Sequence, residues 1–448
     1  MILNVLNVYK SKYVEAAPLA VFRILFGLIM AFSMVRFWYH GWIEKLYILP
    51  KFHFHYWGFN FVNVPGQWTY LLFIICLITS ILIAFGYRYR LSIVLFFLCF
   101  TYIELMDKTS YLNHYYFISV LSFMMIWLPA NTYFSFDAVL NENIRAQYIP
   151  KWSIDALKII LAIVYIYAGL AKLNSDWLFK AMPLTIWLPT KFDVPLLGDI
   201  IHNKWLHFAF SWGGALYDLT IVFFLSWKRT RILAFVAVLV FHILTRVLFP
   251  IGMFPYIMIA STLIFFSSDF HRNILEKFSR LWKGSLGLFD NAQKFQGAAI
   301  NIKFRIVAVL LFVQILFPLR FLAYPGNVFW TEQGYRFSWR VMLMEKTGYA
   351  NFKIVDGVTE KFFYVQNEDF LTSFQQKQMA TQSDFIIEYG QYLGSHFASQ
   401  GHKNVEVYVD SYASLNSRLS QRYFDNQQDI MKLKRHPFGK SYILPLNE

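Results

Sequence analysis

A single lysine stands at the end of an apolar segment, in a place where two roles are open to it. The stretch runs from Tyr165 through Lys172 to Trp177, and its first residues are the far end of a mostly apolar segment, Ile154 to Leu170. A lysine at the mouth of an apolar helix can anchor that helix by extending its ammonium to the lipid headgroups. A lysine held in dry surroundings loses its charge more readily and can act as a base. These residues alone leave both roles open.

Other ionisable residues also lie within or beside apolar segments, where charges are costly and need a partner or a function. We interpret Arg23, Asp218 and Arg246 as pairing with one another to hold a helical bundle together. Asp107 and Lys108 occupy a turn, where we expect them to cap or anchor helix ends. The remaining residues of this kind are Glu104, His114 and His242.

His114 opens an apolar segment, so its imidazole is expected near a membrane interface. It either satisfies a local hydrogen bond or takes part in chemistry. No group of His, Cys, Asp and Glu has metal-ligand spacing, so we expect no metal. Cys76 and Cys99 both lie in apolar segments, which argues against a disulfide framework. The sequence also has no glycine-rich phosphate-binding loop and no Gly-x-Ser-x-Gly nucleophile elbow.

The composition is that of a membrane protein. The 448 residues are 57% hydrophobic and 15% charged, whereas a soluble domain carries about a quarter charged residues. We predict an α-helical polytopic membrane protein with about eight or nine transmembrane helices. The candidate spans are 17–38, 69–86, 91–106, 115–129, 154–171, 209–227, 231–249, 254–267 and 304–322. The net charge of +14 is spread between these spans, so we expect no nucleic-acid partner.

The connections between the spans alternate in charge, which predicts the orientation. Basic connections fall at residues 10–12, 88–90, 228–231 and 268–303, and the positive-inside rule makes them cytoplasmic. We expect no removable signal peptide, a cytoplasmic N-terminus and, with an odd number of spans, an extracytoplasmic C-terminal region. The domains are then a transmembrane helical unit, 1–322, and an extracytoplasmic α+β domain, 323–448.

The C-terminal region has the patterns of a small α+β module. Residues 352–365 predict a hairpin with Asp356 and Gly357 at its turn. Residues 368–400 are polar and helical in pattern. Alternating valines over 405–410 predict a half-buried strand.

Several motifs, in order along nearly the whole chain, together resemble the vitamin K-dependent gamma-carboxylase family. They are Leu19–Gly27, the turn Met106–His114, the segment Tyr165–Trp177, Phe241-His242 with Ile251–Tyr256, Gly334–Trp339 and Val407–Asp425. The chain is similar to a bacterial relative of the HTTM-domain type. It departs from the animal enzymes in ending soon after Tyr442–Leu446, in Ala171 beside the lysine and in Asn174-Ser175.

The resemblance implies an enzyme of the carbon–carbon lyase class. In that family the aligned lysine deprotonates reduced vitamin K, so the resemblance gives this role to Lys172. Oxygen then adds to the quinol anion, the resulting base removes the γ-proton of a glutamate, and CO2 is captured while the vitamin leaves as its epoxide. His114 is carried over as a polar helper. Further quinol or substrate contacts are expected at Tyr167, Trp177, His242, Tyr335 and Trp339.

The implied cofactors are reduced vitamin K or a menaquinol-type hydroquinone, O2 and CO2, with no metal. The implied partners are the lipid bilayer, a prenyl-quinol and a glutamate-containing extracytoplasmic protein or peptide. The implied location is the inner cell membrane. Two alternatives remain: a quinol epoxidase without carboxylation, and a non-enzymatic scaffold or transporter on the same fold.

Overall fold

The computed structural model describes residues 7–191, 198–281, 293–297, 300–435 and 442–447. In chain order its α-helices are α1 (Ala17–Tyr39), α2 (Thr69–Phe85), α3 (Tyr89–Met106), α4 (Asn113–Trp127), α5 (Phe136–Leu140), α6 (Lys151–Ala171), α7 (Ser175–Lys180), α8 (Leu184–Trp187), α9 (Lys204–Ser226), α10 (Arg231–Leu248), α11 (Phe254–Thr262), α12 (Ser268–Leu281), α13 (Ile300–Leu316), α14 (Val328–Thr331), α15 (Ser373–Met379) and α16 (Ser383–Ser399).

Seven helical segments of the described chain are long and apolar enough to cross a membrane: α1, α2, α3, α6, α9, α10 and α13. Two shorter helices, α4 and α11, correspond to the other two candidate spans. Although α4 has only 15 residues, it connects the two ends of the bundle. Asn113 at its start donates to the Arg340 carbonyl, and Met125 near its end accepts from the Tyr89 hydroxyl at the start of α3. The polytopic helical fold is therefore confirmed.

One end of the bundle gathers basic connections and a short sheet. The strands β1 (Tyr13–Glu15) and β2 (Tyr148–Pro150) pair antiparallel there, directly before α1 and α6. Arg272 of α12 lies 3.6 Å from Glu15, so this polar helix packs against the same end. Residues 282–292 and 298–299 of the basic connection 268–303 lie outside the described residues.

Arg23 corrects the prediction that Arg23, Asp218 and Arg246 pair with one another. Its buried guanidinium instead donates to backbone carbonyls, at 2.7 Å for Ala130 and 2.5 Å for Phe134. Carbonyl groups left free where helices end are acceptors that a planar guanidinium satisfies without an acid. The predicted pairing of Arg23 with Asp218 was wrong, because backbone carbonyls in a turn accept the hydrogen bonds of this guanidinium.

The C-terminal region folds as a four-stranded antiparallel sheet packed against helices. The strands are β3 (Lys346–Val355), β4 (Phe362–Tyr364), β5 (Glu406–Leu415) and β6 (Gln421–Arg422), in the order β4-β3-β5-β6. The predicted hairpin is β3-β4, and the alternating valines lie on β5, where Val407 and Val409 are buried. The helical stretch is divided into α15 and α16. The α+β prediction is confirmed.

Ion pairs, of which Lys108–Glu388 is buried, attach this sheet region to the end of the bundle opposite β1 and β2. Lys108, in the turn after α3, lies 2.8 Å from Asp384 and 3.2 Å from Glu388 of α16. Arg336 also pairs with Asp384, at 2.8 Å. Burial would raise the pKa of the Asp384 carboxyl, but Arg336 and Lys108 more than offset it and hold that pKa well below its usual range. Lys108 is thus an anchor, and Asp107 caps its own turn by accepting from the Thr109 amide.

Candidate functional site

Lys172 forms a buried ion pair with Asp218. The Lys172 Nζ atom lies 2.5 Å from Asp218 Oδ2, and the two side chains are 8% and 6% exposed. The ammonium also donates to the Ala168 carbonyl at 3.2 Å and lies 5.5 Å from the Trp177 ring centroid. Lys172 therefore does not extend toward lipid headgroups as an anchoring lysine would.

A close approach of α6 and α9 brings the two residues together. A Cβ atom on Gly169 of α6 would lie 2.9 Å from the Leu219 amide nitrogen of α9, closer than real Cβ atoms come to other atoms. Only glycine fits at this crossing, so the helices meet one turn below the lysine. The acid that neutralises Lys172 therefore comes from a helix 46 residues along the chain.

The loop after Lys172 is fixed by the C-terminal region. Asn174 caps α7 by accepting from the Trp177 amide. Asp176 accepts two hydrogen bonds from the Arg418 guanidinium, at 2.7 and 2.8 Å. A bidentate pair of this kind sets orientation as well as distance. The lysine is therefore held between the bundle and the C-terminal region.

Lys172 and Asp218 line an apolar cavity of about 220 Å³ between α6, α9 and α10. Its other polar groups are few. The Tyr165 hydroxyl and His242 Nε2 are hydrogen-bonded at 3.0 Å. The second ring nitrogen of His242, Nδ1, is buried with no hydrogen-bond partner in the described chain. The cavity suits an apolar ring that carries a small number of hydroxyl groups.

His114 lies in a second, larger cavity of about 670 Å³, at the junction with the C-terminal region. Its ring is 7% exposed, and within the described residues it makes no hydrogen bond. The Phe254 ring separates the two sites, because its centroid lies 6.0 Å from those of both His114 and His242. The residues that line both cavities are Trp187, Ile251, Phe254, Val341 and Met342.

The predicted site residues separate into those at the cavities and those away from them. Trp177 and His242 line the apolar cavity with Lys172, and Tyr335 lines the larger cavity with His114. The structure brings Tyr167 and Trp339 to neither cavity. Both of these residues instead pack between segments of the bundle.

Tyr167 and Trp339 both pack within the bundle, away from the two cavities. Tyr167 is two residues after Tyr165, which places it on a different face of α6, and its hydroxyl donates to the Ile315 carbonyl of α13 at 2.5 Å. Trp339 is 1% exposed and packs on Tyr116 and Phe117 of α4, with ring centroids 5.1 and 6.0 Å away. Neither ring lines the apolar cavity or the larger cavity.

The sequence reasoning missed three residues at these sites. Asp218 carried a signal, as an acid inside an apolar segment, but its partner was misassigned. Arg340 and Arg36 line the larger cavity, and no sequence pattern separated them from ordinary flanking cations. Their place in the cavity depends on how the C-terminal region packs on the bundle.

Two comparisons bear on the identity of the chain. A sequence model of the HTTM domain matches residues 11–270, which is more than half of the chain. A model described as the lumenal domain of vitamin K-dependent gamma-carboxylase matches residues 300–448. No solved structure matches the chain.

Proposed function

Because the chain belongs to the vitamin K-dependent gamma-carboxylase family, we propose that it deprotonates a reduced quinone at Lys172 and uses the product to carboxylate protein glutamates. It is a multi-pass membrane protein with an extracytoplasmic C-terminal region. The observation that carries the proposal is the buried Lys172–Asp218 pair at the wall of an apolar cavity.

The residues of the apolar cavity fit a hydroquinone ring. The ring would lie against apolar side chains, and its hydroxyl groups would meet Lys172 and the His242–Tyr165 pair. The orphaned Nδ1 atom of His242 supports this fit, because a buried ring nitrogen without a partner is costly unless a ligand supplies one. When bound, the hydroquinone supplies with O2 the strong base that removes a γ-proton, and CO2 then captures the carbanion.

Lys172 must be a neutral amine when it accepts a proton from the hydroquinone. In water the ammonium–carboxylate pair would be strongly favoured over the amine and the carboxylic acid. A dry cavity penalises both charges, so the two forms of a buried pair lie closer in free energy. Asp218 can therefore hold the proton while Lys172 acts as the base, and the apolar walls keep bulk water from quenching the chemistry.

The position of His114 supports a role in the second half of the proposed reaction. It faces the larger cavity across Phe254 from His242, and its ring has no hydrogen-bond partner in the described chain. An imidazole without a partner can donate to an oxygen that develops negative charge. We assign His114 as this donor, with Tyr335 as a substrate contact in the same cavity.

The decisive assay separates the two halves of the reaction. Purified protein in detergent receives the reduced quinone, O2, labelled CO2 and a glutamate peptide, and epoxide and fixed label are measured independently. Both products are expected in amounts that depend on the quinol. Epoxide without fixed label would instead support a quinol epoxidase that lacks carboxylation. The absence of both products would overturn the proposal.

The proposed location is the inner cell membrane with a cytoplasmic N-terminus, and the proposed domain division is 1–322 and 323–448. A labelling experiment tests the orientation. Arg229→Cys changes an exposed residue between α9 and α10, and Leu419→Cys changes one that is 92% exposed in the C-terminal region. An impermeant thiol reagent added outside intact cells is expected to label only the second variant. Labelling of both from one side would refute the orientation.

A further inference from the structure

The larger cavity has an excess of positive charge that the described residues do not balance. Its described lining residues include five cations: Arg36, Lys108, Arg246, Arg336 and Arg340. Of these, Lys108 and Arg336 are paired with carboxylates of α16. The other three form no ion pair and donate no side-chain hydrogen bond within the described ranges.

The acid in the same lining does not neutralise those three arginines. Glu332 lies 3.1 Å from Lys346, a lysine that is only 3% exposed and that does not line the cavity. The charge of Glu332 is therefore already balanced by a partner behind the cavity wall. The cavity keeps three guanidinium groups for which the described chain supplies no counter-ion.

Arg340 is the most informative of the three, because it is 7% exposed. Its guanidinium lies 4.2 Å from the Phe321 ring centroid, and its buried Nε has no hydrogen-bond partner in the part of the chain that the structure describes. Arg336, four residues earlier, gives the contrast. Burial lowers the pKa of Arg340, whereas Asp384 more than offsets burial at Arg336 and raises its pKa. A buried unpaired cation is unfavourable unless an anion binds to it.

We propose that this cavity is a carboxylate site, in which Arg340, with Arg246 and Arg36, binds the side-chain carboxylate of a substrate glutamate and binds the two-carboxylate product more tightly. Guanidinium groups suit carboxylates because they offer several donors in one plane. Three unpaired cations exceed what one carboxylate needs, so a second carboxylate on the same carbon gains further contacts. The inference rests on the proposed function for its choice of carboxylate.

The position of the cavity agrees with this assignment. It adjoins the apolar cavity of Lys172 across Phe254, Ile251 and Met342, so a bound side chain would lie next to the quinol site. His114 lines the same cavity, and Asn113 beside it donates to the Arg340 carbonyl at 2.8 Å. This hydrogen bond ties the backbone at Arg340 to the start of α4, the helix that carries His114.

A binding experiment without turnover tests the proposal. Three short fluorescent peptides differ at one position only, which carries glutamine, glutamate or γ-carboxyglutamate. Their binding to the full chain in nanodiscs is measured by anisotropy, without quinol. The wild type is expected to bind them in increasing order of charge, with steps of about 10-fold, typical of a charged hydrogen bond.

Arg340→Gln is expected to remove most of the preference for glutamate while leaving the glutamine peptide unaffected. Arg246→Gln, at an exposed position, is expected to reduce mainly the preference for the two-carboxylate peptide. This variant tests the proposal if Arg340→Gln does not fold. Arg320→Gln is the matched control, because Arg320 lies on the same side of the bundle but does not line this cavity.

Equal binding of all three peptides by the wild type would overturn the carboxylate site. Charge-dependent binding that survives both Arg340→Gln and Arg246→Gln would overturn its location. Epoxide formation is assayed separately on the same preparations. An absence of epoxide together with charge-dependent binding would remove the proposed quinol chemistry and leave this site in place.

Discussion

The two cavities share a wall, yet they handle charge in opposite ways. The apolar cavity contains one cation and one carboxylate, Lys172 and Asp218, which neutralise each other at 2.5 Å. The larger cavity has three arginines with no counter-ion in the described residues. A neutral pair among apolar walls suits an uncharged ligand that gives up a proton. Unbalanced cations suit an anionic ligand, so the difference supports the two proposed roles, a quinol site and a carboxylate site.

Removing the amine of the apolar cavity should have the largest effect. Lys172→Ala is expected to lower the rate of epoxide formation by about 10³-fold or more, within the range for loss of a general base. Added small amines should restore part of this rate, since the mutation opens space beside Asp218. Epoxide is measured by chromatography, and retained binding of the glutamate peptide would show that the larger cavity is intact.

Lys172→Arg separates the need for a base from the need for a positive charge. A guanidinium can pair with Asp218 but cannot be deprotonated in a protein, so this variant should be as inactive as the alanine variant. An arginine variant with near-normal epoxide formation would mean that the charge alone matters, and the base mechanism would have to be abandoned.

The ion pair itself should have the next largest effect, here on stability. Asp218→Asn is expected to lower the free energy of unfolding by about 3–5 kcal/mol, because it leaves a buried ammonium unpaired. The double variant Lys172→Met with Asp218→Leu should recover most of that loss, since neither charge is then buried. Denaturation in mixed micelles measures both. An Asp218→Asn variant as stable as the wild type would show that Lys172 does not remain a buried, unpaired ammonium.

His114 tests whether the larger cavity takes part in the chemistry as well as in binding. His114→Gln is expected to lower kcat for carboxylation by about 10²-fold, typical of removing one electrostatic donor, with little change in KM for the glutamate peptide. A variant that folds normally and retains full turnover would return His114 to a structural role. A change confined to KM would make it a binding residue.

The paired cations of the larger cavity should show the smallest effect. Lys108→Met is expected to weaken attachment of the C-terminal region by about 1–3 kcal/mol at neutral pH, because Arg336 and Arg435 still pair with the acids of α16. Hydrogen exchange of α16 measures this change. Unchanged exchange would mean that Lys108 contributes nothing to the attachment.

The same ion pairs predict how the attachment depends on pH. The pKa values of Asp384 and Glu388 are lowered, because Arg336 and Lys108 at Asp384, and chiefly Lys108 at Glu388, more than offset the effect of burial. Groups with a depressed folded pKa contribute stability above their unfolded values, near pH 4, and that stability is lost as pH falls further. The protection of the α16 amides, measured relative to their intrinsic exchange rate at each pH, should therefore fall below about pH 4. The fall should be smaller in Lys108→Met.

The sequence by itself determined the class of fold and the places where chemistry was expected. Apolar runs of nearly membrane length predict membrane helices, and alternating valines predict a half-buried strand. Both patterns depend only on local periodicity. Lys172 and His114 were identifiable for the same reason: an ionisable group in an apolar segment is conspicuous without any knowledge of its neighbours.

Only the tertiary structure decided which charges meet. Asp218 pairs with Lys172 rather than with Arg23 or Arg246 because Gly169 lets two particular helices approach closely. Tyr167 faces α13 and Tyr165 the cavity because of the rotation of α6 about its axis. Arg340 has no counter-ion among the described residues, because the packed C-terminal region brings none of its described acids to the guanidinium. Long-range pairing depends on the packing and rotation of whole elements, and one-dimensional spacing does not encode either of them.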